Sequence, residues 1–169
     1  MDGKSFSNSF QTEFSFSPFN RFDVRLAYKF LDVRAEYGGL MQQKVMVPKH
    51  RGFVNLAYHT RNKKWEFDIT NSIFGASRLP VSQISATEVT IENRSKVYPM
   101  LSAQVTYKHK RWDFYIGGEN LTNYRQPNPI IDAANPFGTY FDATRIWAPV
   151  MGINVYAGFR FIIEHKEHH

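Results

Sequence analysis

The sequence predicts an all-β fold, an antiparallel up-and-down meander of about seven strands, a pattern that transmembrane β-barrels share with soluble sheet proteins. Three observations lead to this prediction. Apolar and polar residues alternate with a period of two in successive segments. Short polar turns alternate with long connections between these segments. Aromatic residues make up 16% of the chain, which favours strands over helices.

The alternation predicts seven strands, separated by segments in which the pattern stops. The second predicted strand is the clearest, because Phe22, Val24 and Leu26 alternate with Asp23 and Arg25, and the pattern continues to residue 30. The approximate strand bounds are 6–17, 21–30, 51–60, 65–70, 100–108, 112–120 and 152–161.

The connections between these strands alternate in length. Tight turns are expected at 18–20, 61–64 and 109–111, and long connections at 34–49, 74–99 and 121–151. In a meander this order places all tight turns at one end of the sheet, an asymmetry typical of outer-membrane barrels. Phe19, Trp65 and Trp112 lie at or beside the tight turns, where they would form part of an interfacial aromatic girdle.

Composition excludes several classes of protein. The net charge is +6, but the Lys and Arg residues are dispersed without a recognition motif, so no nucleic-acid partner is predicted. The absence of cysteine excludes disulfides and cysteine zinc sites. No apolar segment is long enough for a transmembrane helix, and residues 1–5 are not followed by the apolar region of a signal peptide.

Alternation by itself leaves two architectures open. In a soluble sandwich or small barrel the apolar residues point into the core, and the chain would be a binding module that uses the long loops at one end. In a membrane barrel the apolar residues face lipid and the polar residues line the lumen. The loop asymmetry, the mixed charges on the polar positions and the odd number of strands favour the membrane barrel.

Several motifs, in order, resemble the C-terminal barrel strands of TonB-dependent outer-membrane receptors of the Bacteroidetes type. Gly-Glu-Asn-Leu-Thr-Asn-Tyr at 118–124 is similar to the motif before the last long loop of these receptors. Ile-Trp-Ala-Pro-Val-Met-Gly at 146–152 and Tyr-Ala-Gly-Phe-Arg-Phe at 156–161 are similar to the closing strand. Val-Pro-Lys-His-Arg-Gly at 47–52, Ala-Tyr-His-Thr at 57–60 and Lys-Trp-Glu-Phe-Asp at 64–68 resemble late barrel strands.

This resemblance implies that the chain is part of a larger transmembrane β-barrel of about 22 strands with a plugged lumen. Residues 1–163 would supply the last seven strands of this parent barrel, and residues 164–169 would form a polar His-rich tail. The parent receptor would lie in the cell outer membrane and take up a scarce ligand: siderophore-bound iron, cobalamin, a metal or a saccharide. Implied partners are outer-membrane lipid, the N-terminal strands and plug, TonB through that plug, and the barrel assembly machinery. Gly158, Phe159 and Phe161 resemble the assembly signal of the closing strand.

We expect this chain to be a fragment, without the signal peptide, TonB box and plug of such a receptor, that does not transport alone. Its open strand edges are expected to promote oligomers.

The best candidates for ligand contact lie in the last long loop, where aromatic and charged residues mix. They are Tyr140, Phe141, Asp142, Arg145 and Trp147. Packing of this loop against its neighbours is the alternative explanation for the same residues.

No enzyme, cofactor or metal site is predicted. No Gly-x-Ser-x-Gly motif occurs, and Asp113 and Glu119 are six residues apart on one strand, about 20 Å, which is too far for a catalytic carboxylate pair. The histidines within the strands and turns have no ligand spacing. His165, His168 and His169 would either bind a divalent metal or form a solvated tail, and the tail is the preferred interpretation.

Overall fold

The computed structural model describes residues 3–81 and 93–163 and contains eight strands. They are β1 (Ser5–Phe19), β2 (Phe22–Tyr37), β3 (Leu40–Gln43), β4 (His50–His59), β5 (Trp65–Phe74), β6 (Tyr98–His109), β7 (Trp112–Glu119) and β8 (Asn154–Phe161). All pairs are antiparallel, in the order β1-β2-β4-β5-β6-β7-β8, with β3 beside β2. The predicted all-β meander is confirmed. The sheet is not closed, because no described strand pairs with the outer edge of β1 or β8.

The connection predicted at 34–49, with extended pieces at its ends, contains a β-hairpin that the sequence prediction did not identify. β2 continues to Tyr37 and turns back into β3 through Gly38 and Gly39, whose φ angles are 57° and 78°. Two successive residues with positive φ form the tight hairpin turn that glycine favours. The predicted end of the second strand at residue 30 was therefore wrong, because the strand continues to Tyr37 and forms the first strand of this hairpin.

The first tight turn also differs from the prediction. β1 continues through Pro18 to Phe19, and the turn is formed by Asn20 and Arg21. The register with β2 shifts between Phe16 and Phe19, which accommodates a proline that cannot donate a hydrogen bond to the neighbouring strand.

The strand register places the predicted apolar positions on one side of the sheet. One row crosses five strands through Tyr58, Phe67, Val105, Ile116 and Ala157. We call this side the apolar face. Its large side chains include Phe10, Phe14, Phe16, Phe22, Val24, Leu26, Tyr28, Phe30, Val54, Leu56, Tyr58, Trp65, Phe67, Ile69, Ile73, Leu101, Val105, Tyr107, Trp112, Phe114, Ile116, Val155, Phe159 and Phe161.

The opposite side, the polar face, carries charged, amide and hydroxyl side chains. Examples are Glu13, Arg25, Asn55, Glu66, Asp68, Thr70, Gln104, Thr106, Lys108, Asp113 and Arg160. Ion pairs join neighbouring strands on this face: Arg25 with Glu13 at 2.6 Å, and Lys108 with Glu66 at 2.5 Å.

Solvent exposure is the reverse of what a soluble sheet protein shows. On the apolar face Val155 and Phe159 are each 66% exposed, whereas on the polar face Asp113 and Thr106 are 7% and 8% exposed. Side chains are crowded on the polar face and spread apart on the apolar face, which indicates that the sheet curves toward its polar face. Among the described residues no second layer covers the apolar face, since all eight strands belong to one sheet.

Candidate functional site

The long connections meet at the end of the sheet opposite the tight turns. Segments 75–81 and 93–97 approach each other there, where Ser77 N donates to Ser95 Oγ at 2.8 Å and the two hydroxyl oxygens lie 3.1 Å apart. Both serines are buried. This contact anchors the connection between β5 and β6 close to the strand ends, and residues 82–92 lie outside the part that the structure describes.

Two buried amide side chains hold the base of the connection between β7 and β8. Gln126 donates through Nε2 to the Arg145 carbonyl at 2.8 Å, and its Oε1 accepts from Trp147 N at 2.7 Å and from Ala148 N at 3.1 Å. Asn120 Nδ2 donates to the Tyr124 carbonyl at 2.8 Å. These bonds replace strand pairing where the backbone is irregular, as buried peptide groups require.

An aromatic cluster fills the space between these connections and the strand ends. Tyr98 stacks on Phe74 and on Tyr124, with ring centroids 5.0 Å and 5.2 Å apart. Trp147 packs against Tyr98 at 5.6 Å, and the Tyr98 hydroxyl donates to the Trp147 carbonyl at 3.1 Å. Two strands and one loop therefore meet in a single packed unit.

A pocket of about 170 Å³ opens beside this cluster. The charged, hydroxyl-bearing and aromatic side chains in its lining are Arg51, Phe74, Ser77, Ser95, Tyr98 and Trp147. The Arg51 guanidinium lies 5.4 Å from the Phe74 ring centroid and forms no ion pair with a described carboxylate. Aromatic walls, one available cation and hydroxyl groups suit a small polar or planar group of a ligand.

The five predicted ligand-contact residues do not lie together in the structure. Trp147 lines the pocket. Arg145 is 6% exposed, and its Nη1 donates to the Pro80 carbonyl at 3.0 Å. Burial lowers the pKa of the Arg145 guanidinium, and the nearby Asp142 carboxylate opposes that shift.

The other three residues lie away from the pocket lining. Asp142 accepts hydrogen bonds from the backbone N and hydroxyl of Thr144, each at 2.7 Å, and its backbone pairs with Ile131. Tyr140 and Phe141 are exposed. Packing of the loop, the alternative considered for this stretch, accounts for the contacts of Arg145 and Asp142.

The sequence prediction missed Arg51, Phe74 and Tyr98 as pocket residues. One signal was available: Phe74 and Tyr98 are aromatic residues at strand ends on the polar face, where most positions carry polar residues. An aromatic side chain that breaks the pattern at a strand end marks a place where the sheet contacts something other than solvent.

The closing strand shows what the proposed assembly-signal residues contact. Phe159 and Phe161 lie on the apolar face beside Trp112, with ring centroids at 5.5 Å and 4.7 Å. Gly158 is paired with Tyr115, and a Cβ at Gly158 would lie 2.6 Å from the Tyr115 Cζ atom. The absence of a side chain at Gly158 therefore makes room for a ring from β7.

Comparison with known proteins gives no identification. No protein-family model matches this chain. A search of curated proteins finds none with significant similarity to it either.

Within residues 3–81 and 93–163, no three His, Asp or Glu side chains are grouped closely enough to hold a metal ion. His165, His168 and His169 lie outside the described residues. In the same part of the chain, no helix is long and apolar enough to cross a membrane.

Proposed function

We propose that this chain forms C-terminal strands of a TonB-dependent outer-membrane receptor, with its apolar face toward lipid and its polar face toward the lumen. The reversed exposure of the two faces carries the proposal. A sheet that shields Asp113 and exposes Phe159 is unfavourable in water, because burial of an aromatic side chain is worth about 1.5–3 kcal/mol. Lipid contact on the apolar face removes this cost.

The height of the apolar face agrees with a bilayer. On β2 it runs from Phe22 to Phe30, nine residues, about 30 Å along the strand. At a tilt of about 40° this spans about 23 Å, close to the apolar band of about 25 Å in outer-membrane barrels. Beyond this band the same side of β2 carries Asp32, Arg34 and Glu36, as expected for a strand that leaves the hydrocarbon region.

The arrangement of connections agrees with the same orientation. The tight turns would lie on the periplasmic side and the long connections on the extracellular side. The pocket at Arg51, Tyr98 and Trp147 then faces the extracellular end of the lumen, where the parent receptor would first contact a siderophore, cobalamin, a metal or a saccharide. The chain itself supplies contact residues, and transport requires the plug and TonB.

The unpaired edges of β1 and β8 would be completed by partner strands. Seven strands follow one another from β1 to β8, so these two edge strands run in the same direction. An odd number of further strands between them completes an all-antiparallel barrel. N-terminal barrel strands would occupy these edges, and the barrel assembly machinery would act on β8. In their absence the unpaired edges favour oligomers.

Transfer between buffer and detergent tests the proposal. The chain is refolded in each medium, and β-sheet content, particle size and cooperativity of unfolding are measured by circular dichroism and light scattering. We expect aggregation in buffer and recovery of β structure in micelles. A compact monomer in detergent-free buffer that unfolds cooperatively would refute the proposal and support a soluble binding module.

A further inference from the structure

The three tight turns share an excess of positive charge. They comprise residues 20–21, 60–64 and 109–111, and together they contain no acidic residue. Their cationic residues, all exposed, are Arg21, Arg61, Lys63, Lys64, Lys110 and Arg111. Within the described part of the chain, none of these six side chains forms an ion pair.

The turns are neighbours on one rim of the sheet. Arg21 O accepts a hydrogen bond from His59 N at 3.0 Å, which joins the first turn to the strand that leads into the second. Lys64 O accepts from Lys108 N at 2.7 Å, which joins the second turn to the third in the same way. We call the six cations on these turns the basic rim.

The backbone of each turn gives a second, independent observation. Arg21, Lys63 and Lys110 have φ angles of 74°, 53° and 56°. Glycine and asparagine adopt this left-handed conformation most readily and dominate such turns. Each turn instead places a long cationic side chain there, although a neutral Asn would fit the backbone at least as well.

An aromatic row borders the basic rim on the apolar face. Phe19 stacks on Phe22 at 4.8 Å, and Trp65 packs against Tyr107 at 4.7 Å. Trp112 lies at the same level beside the third turn. Aromatic rings with adjacent Lys and Arg form the boundary that proteins place at a lipid headgroup region.

We infer that the basic rim binds the anionic headgroups of phospholipids in the leaflet at the tight-turn end. This inference rests on the proposed membrane orientation. The charge is complementary to phosphate diesters with a net negative headgroup such as phosphatidylglycerol, and the aromatic row contacts the acyl chains just below. On the strands some cations are instead neutralised within the protein: Arg25 pairs with Glu13, and Arg34 and Lys49 pair with Asp32.

Spin-labelled lipids test this inference in bilayers. The chain is reconstituted in phosphatidylcholine vesicles that contain a trace of phosphatidylglycerol or phosphatidylcholine, each with a nitroxide on the acyl chain near the headgroup. Trp65 and Trp112 report lipid contact at the rim through quenching of their fluorescence. We expect stronger quenching by the phosphatidylglycerol probe, and this preference is expected to fall at high salt.

A triple variant removes one cation from each turn without disturbing the backbone: Arg21→Asn, Lys63→Asn and Lys110→Asn. Each cation near an anionic surface contributes about fivefold to association, so the preference for phosphatidylglycerol should fall by at least about fivefold, and by about a hundredfold if the three contributions are independent. The control Lys4→Gln, Lys44→Gln, Arg94→Gln changes net charge equally at the other end of the sheet and should keep the preference.

The outcomes separate this inference from the proposed function. Equal quenching by the two probes in an inserted, folded chain refutes the basic rim as a lipid site and leaves the membrane proposal intact. Equal loss of preference in both triple variants also refutes it, because net charge alone would then explain the result. Failure of the native chain to enter any vesicle refutes the proposed membrane orientation and, with it, this inference.

Discussion

A lysine placed at the middle of the apolar face should reveal the medium that this face contacts. Ile116 is 56% exposed and lies five residues beyond Arg111 at the tight-turn end, about 17 Å along β7. At barrel tilt this is about 13 Å, half the height of the apolar band. Ile116→Lys therefore places a charge near the bilayer midplane.

The two environments predict different magnitudes for this substitution. A lysine on the lipid face at the midplane costs about 2–4 kcal/mol. A lysine at an exposed position of a water-soluble sheet changes stability by about 0.5 kcal/mol or less. Ser102→Lys is the matched control, because Ser102 lies on the polar face of the neighbouring strand β6, the face that would line the hydrated lumen.

Denaturant titration of both variants in micelles measures the change in the free energy of unfolding. We expect Ile116→Lys to lose about 2–4 kcal/mol and Ser102→Lys less than about 1 kcal/mol. A loss below about 0.5 kcal/mol for Ile116→Lys would refute lipid contact at this face, and so would a larger loss for Ser102→Lys.

Three further substitutions test local features of the structure. Gly158→Ala should destabilise the sheet by about 1–3 kcal/mol, since the new methyl group overlaps the Tyr115 ring, and Tyr115→Ala in the same chain should restore part of this loss in thermal unfolding. Gln126→Ala leaves buried partners unpaired and should cost about 1–3 kcal/mol, with a red shift of Trp147 fluorescence and faster proteolysis of residues 121–151; unchanged proteolysis would contradict the assigned role. Gly39→Ala should cost about 1–2 kcal/mol at its positive φ, and an unchanged melting temperature would mean that the hairpin is not formed.

Alternation predicted the strands well where one face stays apolar over many residues. It failed in β2 after Phe30, because the two faces of the strand exchange character there. Leu31 and Val33 are apolar residues on the polar face, and Asp32 and Arg34 are charged residues on the apolar face. The backbone continues as a strand, but the environment of its two faces changes. A pattern that depends on environment cannot mark the end of a strand that crosses from one environment to another.

The pocket was harder to predict than the sheet. Its residues come from four separate parts of the chain, represented by Met46, Phe74, Ser95 and Trp147. Their association depends on long-range contacts and on the amide of Gln126. The local periodicity of the sequence gives no information about such contacts. Only Trp147 was predicted, because it lies in a loop that is rich in aromatic and charged residues.

Site-directed spin labelling tests most directly whether the apolar face meets lipid and the polar face meets water. The chain has no cysteine, so a single Cys placed at each position from 112 to 119 can carry one spin label. In reconstituted vesicles, collision with oxygen dissolved in lipid and with a water-soluble nickel complex is measured at each position. We predict alternation along β7, with oxygen contact highest at 112, 114 and 116 and nickel contact highest at 113, 115 and 117. Equal access of the nickel complex to both sets of positions would contradict it.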